Sequence, residues 1–251
     1  MSGHSHWATI KHKKAAVDAK RGKHWSKLAK AIIVAAKHGG GDPDQNLHLR
    51  YAIDDAKAAG MPKENIQRAI KRGSGELDGA SLDEVTYEGY GAGGVAMLCE
   101  VLTDNRNRTA SEIRKVFEIS SGKLGSTGCV AWMFESKGLF LIPAAGMEEE
   151  RLLEIALDAG ADDVQAIGDK FEVTCDPAKY REVQEALAKA GVTPEASQIT
   201  RIAKNTVDVT DVEEARKILK LMERLDDHDD VQNVSSNFNI PDDVMAQAAE
   251  E

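Results

Sequence analysis

Aromatic side chains make up only 5% of the 251 residues, and there are just three cysteines. With so few rings, the cores have to be built mainly from Leu, Ile, Val and Ala. Cys99, Cys129 and Cys175 are far apart, odd in number and set in apolar, strand-like runs. They match no zinc spacing and read as reduced, buried thiols of a cytoplasmic protein. No stretch approaches the roughly 18 apolar residues that would span a bilayer, and the charged N-terminus lacks the apolar centre of a secretion signal. Recognisable catalytic arrangements are missing too, since no Ser or Cys sits in a nucleophile context. A monomeric, non-enzymatic protein without cofactor, metal or membrane partner is expected. Hydrophobic content of 42% and charged content of 29% are the values of a globular chain.

Acid is almost missing from one place. Residues 1–40 hold nine Lys/Arg (Lys11, Lys13, Lys14, Lys20, Arg21, Lys23, Lys27, Lys30 and Lys37) against the single acid Asp18. That net +8 belongs to a chain of −10, so the other 211 residues carry −18. Five of the seven histidines and two of the three tryptophans, Trp7 and Trp25, lie in the same stretch. A basic arm on an acidic body is the electrostatic footprint of a nucleic-acid ligand. Lys11, Lys13, Lys14, Lys20, Arg21, Lys23, Lys27 and Lys30 are the candidate phosphate contacts, with Trp7 as a stacking residue. Lys63, Arg68, Lys71 and Arg72 form a second tier on a later helix. The partner is structured RNA, above all the ribosome, or DNA. Lysine holds phosphate as a point charge without reading base edges, which favours RNA recognised by shape and backbone.

Periodicity orders the chain. From Trp25, apolar residues recur at Leu28, Ala29, Ile32, Ile33 and Ala36 with helical spacing until Gly39-Gly40-Gly41 ends the run. Asp42-Pro43 reads as an N-cap and first helical residue, and Leu49, Ala52, Ile53 and Ala56 give that helix its apolar face. Ile66, Ala69 and Ile70 mark a short third helix before the linker from Gly73 to Ser81. Strands then read at Val95–Leu102 and Cys129–Phe134, with a helix from about Ala110 to Ser120 opened by the capping box Thr109-Ala110-Ser111-Glu112. A β-α-β-β-α-β order follows: strands at Leu139–Ile142, Asp163–Ala166, Phe171–Thr174 and Ser197–Ala203, helices at Glu148–Ala159 and Pro177–Ala190. The C-terminal part repeats a half unit, with a short strand at Val207–Val209, a helix from Val212 to Leu225 and a strand at Val231–Phe238.

The expected fold is α+β: a basic helical domain, residues 1–78, followed by two ferredoxin-like α/β domains, one inserted in the other. The split domain would take residues 79–134 plus 205–240, the insert 135–204, and an acidic tail 241–251. Three consecutive domains are the alternative, and pairing between strands 95–102 and 231–238 separates the two.

Other motifs carry less. Gly89-Tyr90-Gly91-Ala92-Gly93-Gly94 has dinucleotide-loop spacing but precedes a strand rather than a helix, so it reads as a glycine turn. Thr103–Thr109 places Arg106 and Arg108 at a helix N-terminus, where they either hold phosphate or stand solvated beside a turn. Ser2-Gly3-His4, once Met1 is removed, has the donors of a square-planar copper or nickel chelate, a combination that chance often produces. Asp226-Asp227-His228-Asp229-Asp230 lacks the glycine turn of a calcium loop and reads as a solvated acidic loop.

Several blocks closely resemble the YebC family, which includes the mitochondrial translational activator of cytochrome c oxidase. They are Gly3–Trp7, Lys13–Ala16, Asp18–Lys23, Gly39–Pro43, Tyr87–Gly91 and Leu102–Thr109. His6 and Ala92 depart from residues common there, Lys and Pro. The resemblance implies a helical N-terminal domain and two α/β domains, one inserted in the other. It also implies a role in gene expression, as a DNA-binding transcriptional regulator or as a translation factor for ribosomes stalled at proline-rich stretches.

Overall fold

The computed structural model describes residues 18–79 and 81–249, with nothing said of the side chains of 18–21, 242 and 249. Three helices open it: α1 (Asp18–Gly39), α2 (Leu47–Ala58) and α3 (Lys63–Gly73). Their apolar stripes meet in one core around Ile32, Ala36, Leu49, Ala56, Ile66 and Ala69. Gly73 allows the close crossing of α3 over α1, because a Cβ there would overlap the Ile33 carbonyl oxygen. The N-cap of α2 is Asn46, four residues later than the sequence suggests. Its buried side chain accepts from Leu49 N at 3.1 Å and donates to Ala35 O at 2.7 Å and Gly40 O at 2.8 Å. This bridges two helices, whereas Asp42 serves the preceding turn and accepts from Asp44 N at 2.9 Å.

The first sheet runs β3-β1-β2-β9, from strands β1 (Asp83–Tyr90), β2 (Ala96–Thr103), β3 (Lys123–Leu124) and β9 (Val231–Ser236). Strand β2 pairs antiparallel with both β1 and β9, so the middle of the chain and its C-terminal strand share one sheet. Helices α4 (Arg106–Ile119) and α7 (Val212–Asp226) cover one face, where Ile113, Phe117, Ile218, Leu221 and Leu225 pack on Met97, Cys99 and Val101. The other face of β2 packs Ala96 and Leu98 on Val130 and Phe134, and Leu102 enters the core of the three helices. Burial on both faces explains why this strand reads as a continuous apolar run.

The second sheet has the order β5-β6-β4-β7, from β4 (Phe134–Pro143), β5 (Ala161–Ile167), β6 (Lys170–Cys175) and β7 (Ala196–Ala203). Helices α5 (Glu149–Asp158) and α6 (Tyr180–Lys189) pack their buried Leu152, Val183 and Leu187 on Phe140 and Val173. Side chains join the two sheets, with Asn233 Nδ2 donating to Thr200 Oγ1 at 2.8 Å and Arg201 Nε to Glu100 Oε1 at 3.3 Å. A small parallel pair, β8 (Val207–Asp208) with β10 (Phe238–Asn239), and helix α8 (Asp242–Ala249) complete the chain. Two further cross-contacts tie the helices to the sheets: Leu82 shares the helical core, and Tyr51 sits edge-on to Tyr180 at 5.5 Å.

Besides the cap of α2, four local expectations need correction. No strand forms at Cys129–Phe134; Ala131–Met133 is a 3₁₀ turn, and one long strand runs from Phe134 to Pro143. The buried Glu88 carboxylate curls this segment by accepting from Gly128 N at 2.6 Å and from Val130 N and Ala131 N at 2.7 Å. Burial pushes the Glu88 carboxyl up, but the three amide bonds outweigh it and hold it below the ordinary value. Thr109 is not the cap of α4. Asn105 caps it a turn earlier, accepting from Arg108 N at 3.1 Å, and Thr109 turns inward. The stretch read as an acidic tail contains α8, whose Val244 and Met245 enter the main core. The fourth correction concerns the acidic loop.

Candidate functional site

Lys23, Lys27 and Lys30 are spaced four and three residues apart, so they share one face of α1. That face meets residues 226–230, the connection between α7 and β9. Lys23 Nζ lies 3.2 Å from Asp229 Oδ1; Lys27 Nζ donates to the Asp226 carbonyl and lies 3.7 Å from its carboxylate. Lys30 Nζ reaches Asp230 Oδ1 at 2.5 Å and the Asp229 carbonyl at 3.0 Å. The loop is therefore not simply solvated: its carboxylates receive the lysines of the basic helix.

Asp230 is the centre of this clasp and is only 4% exposed. Besides Lys30 it accepts from Arg108 Nη2 at 2.6 Å and Thr109 Oγ1 at 2.7 Å. Burial alone would raise its pKa, but the bonds from Lys30, Thr109 and Arg108 dominate and hold the carboxyl far below the usual aspartate range. The clasp weakens outward. Lys23 and Asp229 are 41% and 75% exposed, which makes their pair a surface ion pair worth roughly 0–1 kcal/mol.

The arginines of the 103–109 segment are also engaged. Arg108 meets Asp104 at 3.1 Å as well as Asp230, and Arg106 Nε lies 3.9 Å from Asp83. His228, within the loop, uses both ring nitrogens: Nδ1 accepts from Asp230 N at 3.1 Å and Nε2 meets Glu112 Oε2 at 3.0 Å. Although Glu112, His228 and Asp230 cluster closely enough for a metal, the imidazole has no lone pair left and Lys30 and Arg108 already neutralise Asp230.

The second-tier cations differ. On α3, Lys63, Arg68 and Lys71 are exposed and have no ion-pair partner among the described residues, and Arg72 is half-buried beside them. The buried Ile66, Ala69 and Ile70 hold the opposite face of the helix in the core. Between α1 and α3 runs a groove of about 320 Å³ lined by Gly22, Trp25, Ser26, Ala29, Asn65 and Arg68, among others. Trp25 is half-buried, and its Nε1 donates to Ala59 O at 3.0 Å, so the ring is held in place. Of the other candidates, Trp7, Lys11, Lys13 and Lys14 lie outside the described residues, as do the side chains of Lys20 and Arg21 and the chelate sequence Ser2-Gly3-His4.

Sequence reasoning missed the acids that pair with the arm, since nothing in their spacing names a partner some 200 residues away. Trp132 escaped it as well. That ring is 66% exposed, and its Nε1 shares the Cys129 carbonyl with Tyr90 Oη, each at 3.2 Å.

Among the described residues, no helix is long and apolar enough to cross a membrane. Several known proteins are similar to this chain over nearly its whole length. A "Probable transcriptional regulatory protein" of Rhodopirellula baltica is 55% identical over 248 residues, covering 98% of this chain and 100% of the relative. A protein of the same description from Geobacter sulfurreducens is 54% identical over 245 residues, 98% of each chain. The crystal structure of a conserved hypothetical protein from Aquifex aeolicus superposes with a TM-score of 0.85 at 51% identity, covering 94% of this chain and 98% of that one. The model of the TACO1/YebC protein N-terminal domain matches residues 5–76, and that of the TACO1/YebC second and third domain matches residues 82–238. On these matches, which take in the helices and both sheets, the chain belongs to the TACO1/YebC family.

Proposed function

We propose that this protein is a non-enzymatic regulator of gene expression that binds nucleic acid through its basic helical head, with structured RNA of the ribosome as the partner. In this reading it assists translation, relieving ribosomes that stall at proline-rich stretches. The observation that carries the reading is the head's surplus of cations: a net +8 in the first 40 residues, part of it met by the 226–230 loop, adjoined by exposed Lys63, Arg68 and Lys71 on α3. Phosphate is the ligand that such a surface attracts, and the −18 of the remaining chain repels it elsewhere. Lysine predominates over the Arg, Asn and Gln that read base edges in a duplex groove, which supports recognition of RNA by shape and backbone. The acidic α/β domains then act as a body that keeps the head in one orientation.

A second reading, DNA-binding transcriptional regulation, is favoured by the names its relatives carry. Ribosome profiling in a deletion strain, beside genome-wide crosslinking, distinguishes the two. The RNA reading expects increased pausing at proline-rich codons and crosslinks to ribosomal RNA. Unchanged pausing, with discrete promoter peaks abolished by Lys13→Glu/Lys14→Glu, would establish the second reading instead.

A further inference from the structure

The groove between α1 and α3 contains a residue that the fold does not require. Gly22 lies inside α1, where glycine weakens a helix relative to alanine. Among the described residues a Cβ at Gly22 would meet nothing within 4 Å, and its φ is not in the left-handed region. Neither packing among the described residues nor backbone conformation accounts for it. The contrast with Gly73, on the opposing helix, is direct, since there a Cβ would strike α1. With the described residues excluded, the bare backbone of α1 at Gly22 is open to close approach by a ligand.

The surroundings say what that could be. Gly22, Ser26, Ala29 and Ile33 follow a four-three-four spacing, a different face of α1 from the clasp lysines. Opposite them Asn65 and Arg68 are exposed, offering amide donors and acceptors and a guanidinium without an ion-pair partner among the described residues. Trp25 forms an aromatic wall anchored through Ala59. None of the described residues lining the groove is acidic. About 320 Å³ lies at the lower end of small-ligand pockets, too small for a duplex.

We propose that this groove receives a single unpaired nucleotide of an RNA strand, its phosphate at Arg68, its base against Trp25 and its sugar against the bare backbone at Gly22. This rests on the nucleic-acid reading above and deepens it: the arm supplies affinity for any polyanion, and the groove adds a preference for unpaired strand. Stacking on an aromatic side chain tolerates any base, so the preference is for strandedness rather than sequence.

Gly22→Ala and Gly22→Leu in the full chain test this, using a short single-stranded RNA and the same strand fully paired. Both variants are expected to hold or raise the thermal midpoint, because each replaces glycine in a helix. Gly22→Leu fills the groove and should weaken single-strand binding by about fivefold or more while leaving duplex binding unchanged. A more stable protein with poorer binding is not what a purely structural glycine would give. Undiminished single-strand affinity, or equal loss on both RNAs, would overturn the groove while leaving the nucleic-acid reading standing. Binding of neither RNA by the wild type would overturn the nucleic-acid reading itself, and the groove with it. Should Gly22→Leu fail to fold, photocrosslinking of the wild type to 4-thiouridine RNA decides: adducts within residues 22–29 or 61–72 support the groove, and adducts confined elsewhere overturn it.

Discussion

On α1, Lys23, Lys27 and Lys30 each find an acid of the 226–230 loop, whereas Lys63, Arg68 and Lys71 on α3 stand exposed with no such partner among the described residues. In the sequence these cations look alike, and the α1 set even looks the more basic. The fold divides them by pairing and exposure. The first set joins the helices to the split sheet, and the second stays exposed, the set we propose for an external anion. A count of lysines therefore overstates what a basic segment can offer a phosphate, because part of the body's acid is its internal counter-charge.

The sharpest way to break the clasp is to remove its centre. Asp230→Ala removes the buried acceptor shared by Lys30, Arg108 and Thr109 and should cost about 1.5–3 kcal/mol in chemical denaturation, since both cations keep solvent and a second partner. The same carboxyl fixes a pH dependence. Its folded pKa lies far below the ordinary 3.8, so its contribution is complete above that value and is lost as pH falls toward the folded one. Wild type and Asp230→Asn should accordingly converge in stability on acidification, and a gap that persists at low pH would contradict the assignment.

Glu88 offers a contrast, a buried carboxylate held by three backbone amides instead of cations. Glu88→Gln should cost roughly 1–3 kcal/mol by thermal or urea unfolding, since a neutral amide oxygen is the weaker acceptor and its NH2 has no acceptor there. Raising the salt concentration should change that cost little. At the small end, Lys23→Gln removes only the exposed outer pair and should cost under about 1 kcal/mol, shrinking further with salt. A large effect would mean that the outer clasp is as firmly held as the inner one.

How much of this was legible in the sequence follows from which forces are local. The helical head was readable from the spacing of Leu28, Ile32 and Ile33 and from glycine stops, because a helix declares its buried face within a few turns. Strand β2 was readable because burial on both faces leaves an unbroken apolar run. Strand β1 was missed: only Glu88 and Gly89 of Asp83–Tyr90 are buried, and the strand holds its place by pairing with β2, a partner that a period-two pattern does not announce. The turn at Ala131–Met133 passed for a strand because the cause of its curl, Glu88, lies some 40 residues away. For the site, the cationic residues were visible and their pairing was not. Electrostatic partners separated by about 200 residues meet only once the topology has brought β9 beside β2.

The central claim, that nucleic acid is held by the head's unpaired cations, is tested most directly by the salt dependence of RNA affinity. Three forms suffice: wild type, Arg68→Glu/Lys71→Glu and Lys23→Glu/Lys27→Glu. If about six phosphates are contacted, wild-type affinity should fall roughly a thousandfold between 50 and 200 mM salt. The α3 double variant should bind about tenfold or more weakly, with a log–log slope shallower by about two. The α1 double variant should keep the wild-type slope, because its lysines face the acidic loop. A slope that changes only in the α1 variant, or wild-type binding that ignores salt altogether, would contradict the account.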